Sequence, residues 1–296
     1  MKFMEKHPMI LLVIGVMGIS LSSIFVRYSQ APSAVTAAYR LLWSVLLMTP
    51  VTLGKTTVRR ELVAVDRKTL LLSIVSGVFL AVHFALWFES LQHTSVASST
   101  TIVCTDVIWV SIGYWLILKG KLGLKAALTI AVMLMGSVLI AMSDAGSGGG
   151  HLYGDILALL GAIAIAGYTL IGRIVRATVS TTVYTYIVYT ACAAVLTAVC
   201  LIQGLPLFGY GVGSVIVGLL LAVFSTILGH SIFSWSLKFF SPSFVSACKL
   251  CEPVGAAILA AILFGEIPRA LQLLGSGLIL GGVYYYSHLE RKAQES

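Results

Sequence analysis

The stretch Gly146-Ser-Gly-Gly-Gly150 divides the sequence into two halves, each of which contains five long apolar runs. Glycine and serine in such a stretch make a flexible connection. The runs are Pro8–Val26, Ser33–Leu53, Leu70–Leu91, Val96–Leu118 and Leu124–Met142 before it, and Ile156–Val175, Val183–Ile202, Val212–Leu237, Phe244–Phe264 and Ala270–Tyr286 after it. Each run has about 17–26 residues, which is the length that a helix needs to cross about 30 Å of hydrocarbon.

The composition of the whole chain agrees with this interpretation of the runs. Of its 296 residues, 58% are hydrophobic and only 10% are charged, and the mean hydropathy is +1.00. A soluble domain has about 25% charged residues because its surface faces water, so a soluble fold is excluded. Barrel strands would alternate polar and apolar residues, which these runs do not. We predict an all-α polytopic membrane protein with ten transmembrane helices.

The division into five and five runs has a consequence for the topology. Because five is an odd number, the second half enters the membrane upside down relative to the first. We therefore predict a first five-helix repeat in residues 1–145, a linker at 146–150 and a second, inverted five-helix repeat in residues 151–296. The first run is expected to remain as a span, since it lacks a convincing Ala-x-Ala cleavage site.

Lysine and arginine concentrate on one side of the predicted membrane. With the N-terminus inside, fifteen of the nineteen fall in cytoplasmic segments: Lys2, Lys6, Lys55, Arg59, Arg60, Arg67, Lys68, Lys119, Lys121, Lys125, Arg173, Arg176, Lys238, Arg291 and Lys292. Only Arg27 and Arg269 fall on the opposite side. Because basic loops mark the cytoplasmic face, we predict a multi-pass protein of the cytoplasmic (inner) membrane with both termini in the cytoplasm. The same distribution explains the net charge of +8 without a nucleic acid partner.

Two stretches, one from each half, resemble each other. Pro242-Ser-Phe-Val-Ser-Ala-Cys-Lys-Leu-Cys-Glu-Pro253 is similar to Thr94-Ser-Val-Ala-Ser-Ser-Thr-Thr-Ile-Val-Cys-Thr-Asp106, and both precede an apolar run that ends in a glycine beside a charge. Asp106 aligns with Glu252 or with Pro253. Inverted repeats of this kind are typical of secondary transporters, which bind their substrates at the midplane between the halves.

Short motifs of the sequence follow one another in a recognisable order. They are Ser234-Trp-Ser-Leu-Lys238, Ser241-Pro-Ser243, Glu252-Pro253 and Leu263-Phe-Gly-Glu266 in the second half, and the segment from Trp87 to Ser98 in the first. In order and spacing they resemble the EamA-type repeats of the drug/metabolite transporter superfamily, over nearly the whole chain. The resemblance implies ten helices in two inverted repeats that move metabolites such as amino acids. The chain departs from the family at Val107, near a position that often carries proline.

Few ionisable side chains fall deep within the predicted spans: Arg40, His83, Asp106, His230, Lys249 and Glu252. On insertion scales an Arg, Lys or Asp within a span costs roughly 2.5–3.5 kcal/mol. Four unpaired formal charges would cost on the order of 10 kcal/mol, which is comparable to the stability of a whole protein. We therefore expect the four charged groups to face one another or a water-filled cavity. Two positive and two negative charges favour a neutral or zwitterionic passenger.

The spacing of these residues indicates how they are arranged. Asp106 and Trp109 are three residues apart, so they share a helix face. Lys249 and Glu252 have the same spacing, which allows a local ion pair. Pro253 removes the N–H that would bond the Lys249 carbonyl, so a kink is expected in the ninth run. A kinked span with charged side chains is typical of a midplane substrate site, and an ion-paired brace between helices is the alternative.

Further candidates lie on the second, third and sixth runs. His83 and Trp87 are four residues apart, and a cavity-facing His83 would sense or carry a proton, because histidine titrates near neutral pH. A hydrogen-bonded interior histidine is the alternative, and it is the one we favour for His230. Arg40 matches an arginine that is common in the second helix of the family. A structural ion pair at this position fits the sequence as well as a role in substrate binding does. Tyr168 would supply a cavity-wall hydroxyl, with packing as the alternative.

We predict a secondary transporter that moves a small organic metabolite, such as an amino acid or similar zwitterion, by alternating access and in the direction of export. Its predicted substrate-binding residues are Asp106, Trp109, Lys249, Glu252, His83, Trp87, Arg40 and Tyr168. The alternatives are an exporter of cationic or aromatic drugs, a channel, and an intramembrane enzyme, although neither His-Glu-x-x-His nor Gly-x-Ser-x-Gly occurs. We expect no cofactor, metal or nucleic acid, and a monomer or homodimer in the lipid bilayer.

Overall fold

A computed structural model describes residues 8–26, 28–144, 152–265 and 267–295, and within these ranges every regular element is a helix. The α-helices are Pro8–Ser20, Ser22–Val26, Ser33–Gly54, Thr56–Val63, Arg67–His93, Val96–Val103, Asp106–Leu116, Leu124–Asp144, Leu152–Val175, Thr181–Ile202, Gly211–Leu220, Ser231–Ser236, Pro242–Lys249, Glu252–Phe264 and Ala270–Glu295, with a π-helix at Leu221–His230. The all-α prediction is confirmed for this part of the chain. The predicted linker at 146–150 lies outside it.

Within the described residues, nine helical segments are long and apolar enough to cross a membrane. These are here called spans one to nine: Pro8–Val26, Ser33–Gly54, Arg67–His93, Ser98–Leu116, Leu124–Met142, Leu152–Val175, Thr181–Ile202, Gly211–Ser236 and Pro242–Leu263. The tenth predicted run lies in the C-terminal helix Ala270–Glu295, which is about 39 Å long at 1.5 Å per residue. Gln272, four glycines and three consecutive tyrosines make this helix less apolar than the others. Ten membrane helices are therefore not confirmed.

The helices pack in a pattern that repeats between the two halves. Span three lies against span six, and span eight correspondingly lies against span one. Span four packs on span six, as span nine packs on span one. Spans two and seven, spans four and nine, and span five and the C-terminal helix are also in contact. Moving every helix five places along the chain leaves this set of pairs unchanged, which is the packing expected of two repeats.

Span nine is interrupted after its first eight residues. The helix Pro242–Lys249 ends there, and a new helix begins at Glu252, so Leu250 and Cys251 separate the two pieces. The first piece is capped by Ser241, whose hydroxyl oxygen accepts a hydrogen bond from the Phe244 N–H at 3.2 Å. The kink that Pro253 predicts is therefore present, and it is a full break of the helix just before the proline.

Span four is interrupted at the corresponding place, although no proline stands there. Its pieces are Val96–Val103 and Asp106–Leu116, separated by Cys104 and Thr105. The Thr105 hydroxyl donates to the Ile102 carbonyl at 2.6 Å, and the Thr105 N–H bonds the same oxygen at 3.0 Å. In a regular α-helix that carbonyl would accept from the N–H of Asp106. A local side-chain bond thus takes the place of the helical one.

Two glycines allow span five and the C-terminal helix to approach each other closely. A Cβ atom on Gly136 would lie 2.7 Å from the Gly275 carbonyl oxygen, and a Cβ on Gly275 would meet Gly136 in the same way. Gly275→Val is expected to destabilise the protein by about 1–3 kcal/mol, because the added methyls force the two backbones apart. Thermal unfolding of the purified protein in detergent would measure this.

The matched control for that substitution is Gly277→Val in the same helix, where a Cβ would have no neighbour within 4 Å. Both changes carry the same cost in helix propensity, so only the contact between the helices differs. Equal melting temperatures for the two variants would contradict the close packing of Gly136 and Gly275.

Candidate functional site

The breaks in spans four and nine border a small buried cavity. The space that the centres of water molecules can occupy in it is about 40 Å³, which is room for roughly two or three waters. Side chains from seven spans line it: Ile19, Ser22, Arg40, His83, Trp87, Val103, Cys104, Asp106, Ile165, His230, Lys249 and Glu252. Since both halves of the chain contribute, the cavity lies between the two predicted repeats.

Six of the eight predicted substrate-binding residues line this cavity: Arg40, His83, Trp87, Asp106, Lys249 and Glu252. The four formal charges that the sequence places deep in the spans are all among them. Arg40 and Asp106 are each 1% exposed and Glu252 is 9% exposed, while the Lys249 side chain is 13% exposed. The charges therefore gather in one small volume away from lipid, as the cost of isolating each of them requires.

The two other predicted residues lie outside the cavity. Trp109 is three residues past Asp106 and so about 4.5 Å further along its helix, beyond the level of the cavity, where it packs against an apolar cluster. The Tyr168 hydroxyl forms a hydrogen bond with the Ser234 hydroxyl at 2.6 Å. Its ring stands 6.2 Å from that of His230, so Tyr168 supports the cavity wall from behind.

Asp106 and Lys249 form an ion pair between the two broken spans. The Asp106 carboxylate also accepts a hydrogen bond from the Ser246 hydroxyl at 3.1 Å. Asp106 begins the second piece of span four, and Lys249 ends the first piece of span nine. A negative group at a helix N-terminus and a positive group at a C-terminus are both stabilised by the helix dipole. The breaks thus place Asp106 at a helix N-terminus and Lys249 at a helix C-terminus, where the helix dipole stabilises each charge.

The structure corrects the prediction of a local ion pair between Lys249 and Glu252. Within the described residues the only carboxylate within ion-pair distance of Lys249 is that of Asp106, from the other half of the chain. The reason is the break at residues 250–251, because a spacing of three brings side chains together only along an uninterrupted helix. Glu252 instead begins the next piece of span nine.

Backbone carbonyls at the break in span nine find partners from other spans. The Lys249 carbonyl, which Pro253 leaves without its usual donor, accepts a weak hydrogen bond from the Cys104 thiol at 3.7 Å. Cys104 itself lies in the break of span four. The Glu252 carbonyl accepts from the Ser20 hydroxyl at 3.1 Å. The two breaks are therefore joined by the ion pair of Asp106 with Lys249 and by the bond from the Cys104 thiol to the Lys249 carbonyl.

Arg40 is held in place by three neighbours. Its Nε donates to the Thr226 hydroxyl at 2.7 Å, and its Nη1 donates to the Ser22 hydroxyl at 3.2 Å. The central carbon of the guanidinium lies 4.2 Å from the centre of the Phe84 ring, in a cation–π contact. Its Nη2 is buried and has no hydrogen-bond partner in the described part of the chain. One arm of the guanidinium is therefore free at the cavity wall.

The two histidines of the cavity differ in their partners. His83 Nδ1 lies 3.0 Å from the Gly161 carbonyl oxygen, and because a carbonyl only accepts, this nitrogen carries the hydrogen. The His83 ring is stacked parallel to that of Trp87 at 6.0 Å. The His230 ring lies 6.5 Å from that of His83 and meets Phe84 edge-on. Over the described residues no group of three His, Cys, Asp or Glu is placed to hold a metal ion.

The prediction of site residues missed several members of the site. Ser22, Cys104 and His230 line the cavity, while Thr226 and Ser246 bond two of its charged side chains. Thr226 and His230 belong to the π-helix, whose wider turn changes the direction in which each side chain points. Periodicity based on 3.6 residues per turn could not place them. For Ser246 the available signal is its position one turn before the buried Lys249, whereas Ser22 lies on span one, which has no charged residue to point to it.

Comparisons with known proteins agree with this architecture. The sequence model of the EamA-like transporter family matches twice, over residues 7–142 and 152–287. A protein of Clostridium kluyveri named an uncharacterized transporter is 25% identical over 204 residues, which are 67% of this chain and 66% of the relative, just under two thirds of its length. A protein of known crystal structure is similar in fold, with a TM-score of 0.80 over 97% of this chain and 99% of its own, at 15% identity. The chain thus belongs to the EamA-like transporter family, within the drug/metabolite transporter superfamily.

Proposed function

We propose that the protein carries a small organic zwitterion, such as an amino acid, across the cytoplasmic membrane by alternating access between two inverted five-helix halves. One observation carries this proposal: two acidic and two basic side chains from both halves meet at one buried cavity beside two broken helices. Equal numbers of opposite charges suit a passenger with one charged pole of each sign. Broken helices with charged groups at their ends form the midplane sites of secondary transporters.

Contacts between the halves at both ends of the bundle support alternating access. At one end the Glu61 carboxylate accepts a hydrogen bond from the Ser180 N–H at 2.6 Å. At the other end the Thr94 hydroxyl donates to the Asp155 carboxylate at 2.8 Å. A cavity with room for two or three waters is too small for an amino acid much larger than glycine, so in the proposed cycle the passenger enters after one of these ends has opened. In the proposed cycle, such a cavity belongs to a closed state between two open ones.

The loop charges support the orientation of the carrier. Fifteen lysines and arginines fall on the side of both termini and only two on the opposite side, which supports a cytoplasmic location of the termini. An uncoupled carrier moves its passenger down the concentration gradient. For a metabolite that the cell itself makes, that direction is outward, and we therefore propose net export.

Counterflow in proteoliposomes would test this function. Vesicles containing the purified protein are loaded with an unlabelled amino acid, and uptake of the same amino acid in labelled form is followed. We expect saturable uptake that exceeds equilibration, since a carrier returns with its site occupied, whereas a channel shows no such overshoot. Protein-free vesicles are the control. Flux of a cationic aromatic dye without counterflow of any amino acid would contradict the proposal and favour a drug exporter.

A further inference from the structure

Two hydrogen-bond donors at the cavity wall lack partners within the described residues. They are Nη2 of Arg40 and Nε1 of Trp87, two buried atoms of side chains that line the cavity. A guanidinium and an indole N–H can only donate, so a group that satisfies either of them must be an acceptor. Leaving a buried donor unpaired is costly, and more so when it is charged. The chemistry of the site therefore points to an anionic group.

The other cationic donors of the site have partners. The other two sides of the Arg40 guanidinium are held by Thr226 and Ser22, which fixes the direction of its free arm. Lys249 is paired with Asp106, so its charge does not compete for the same ligand. Of the two basic side chains Arg40 and Lys249, Arg40 is thus the one whose nitrogens have no carboxylate oxygen within 4 Å in the described chain.

Glu252 is the counterpart of Arg40 on the acidic side. Its side chain lines the same cavity, and in the described chain no donor forms a hydrogen bond with its carboxylate. Asp106, by contrast, is bonded by both Lys249 and Ser246. The cavity therefore offers one uncommitted cation and one uncommitted anion, while its second pair of charges is internally neutralised.

We propose that Arg40 Nη2 and Trp87 Nε1 form a subsite for a small monovalent anionic group, which is the carboxylate of the passenger, and that Glu252 binds its ammonium pole. This assignment of the poles rests on the proposed function. The size of the cavity agrees with it, because about 40 Å³ accommodates a carboxylate or a chloride ion but not an amino acid much larger than glycine. In this assignment Asp106 and Lys249 hold the two breaks together and do not bind the passenger.

The subsite can be probed with acetate, which carries the carboxylate alone. The melting temperature of the full-length protein in detergent is measured in chloride-free sulfate buffer at constant ionic strength, with acetate, acetamide or chloride added. Acetate is expected to raise the melting temperature with a saturable dependence, while acetamide, which has the same shape without the charge, leaves it unchanged. A response to chloride but not to acetate would assign the subsite to a free inorganic anion and overturn the carboxylate assignment.

Two conservative variants locate the binding groups. Arg40→Lys keeps the positive charge but loses the planar guanidinium with its several N–H donors. Trp87→Phe keeps an aromatic ring but loses the indole N–H. Each is expected to weaken acetate binding about tenfold, the effect of one hydrogen bond to a charged group. Trp115→Phe is the matched control, since Trp115 is 63% exposed and lies outside the cavity. Wild-type affinity for acetate in both cavity variants would refute the subsite. Equal responses of the wild-type protein to acetate and acetamide would also refute it, and that comparison needs no variant.

This test separates the subsite from the proposed function. If acetate binds through Arg40 and Trp87 but no zwitterion shows counterflow, the anion subsite stands and zwitterion transport is wrong. If zwitterions are exchanged and no anion changes the melting temperature, transport stands and the assignment of the poles is wrong.

Discussion

Asp106→Asn is expected to lower the free energy of unfolding by about 3 kcal/mol, because it leaves the charge of Lys249 uncompensated in a buried site. Asparagine keeps the size of the side chain and can still accept from Ser246, so the lost charge is the main change. Unfolding in detergent with increasing denaturant would measure the difference. Counterflow should also be lost, because the two breaks no longer hold the cavity in one shape.

The double variant Asp106→Asn with Lys249→Met is the control for this prediction. It removes both charges, so no buried ion is left alone, and most of the lost stability should return. The coupling between the two sites in such a cycle is expected to be about 2–3 kcal/mol. Strictly additive effects of the single changes would show that the two side chains act independently and that the ion pair contributes nothing.

Glu252→Gln is expected to reduce zwitterion counterflow by about tenfold to a hundredfold, the effect of losing one charged hydrogen bond to the ammonium pole. The melting temperature should hardly change, since in the described chain this carboxylate has no hydrogen-bond partner to lose. Initial rates of counterflow, normalised to the amount of reconstituted protein, would measure the effect.

Glu89→Gln is the matched control for that substitution. Glu89 lies on span three with 47% of its side chain exposed, and it is paired with His93 away from the cavity. The same chemical change there should leave counterflow near the wild-type rate. If Glu252→Gln also transported normally, Glu252 would not bind the passenger.

The spans were predictable from the sequence because their length and apolar character are fixed by the bilayer itself. The gathering of Arg40, Asp106, Lys249 and Glu252 followed from a second physical limit, the cost of an unpaired charge in hydrocarbon. The length and apolar character of a span and the cost of a charge within it are properties of the single span. They can be read from the sequence without knowing how the spans pack. The C-terminal helix shows their limit, since its glycines and tyrosines leave its membrane crossing unconfirmed.

The partners of individual side chains were not predictable in this way. The break in span four depends on a hydrogen bond from the Thr105 hydroxyl, and most threonines in helices cause no break. Spacing alone favours a pair between Lys249 and Glu252, and it is the break at residues 250–251 of span nine that prevents it. For His230 the sequence favours a hydrogen-bonded interior histidine, whereas the side chain lines the cavity from the end of a π-helix. Each failure arises where the backbone departs from regular helical geometry.

The ion pair between the two breaks also bears on how the protein is made. Asp106 and Lys249 are separated by 143 positions in the chain. At roughly 5–20 residues per second, the ribosome needs about seven to thirty seconds to supply the lysine after the aspartate. During that interval the nascent first half holds an acidic group in the bilayer without its partner. Insertion of span nine therefore completes the charge balance of span four, and a nascent chain stopped before residue 249 should remain a target for membrane quality control.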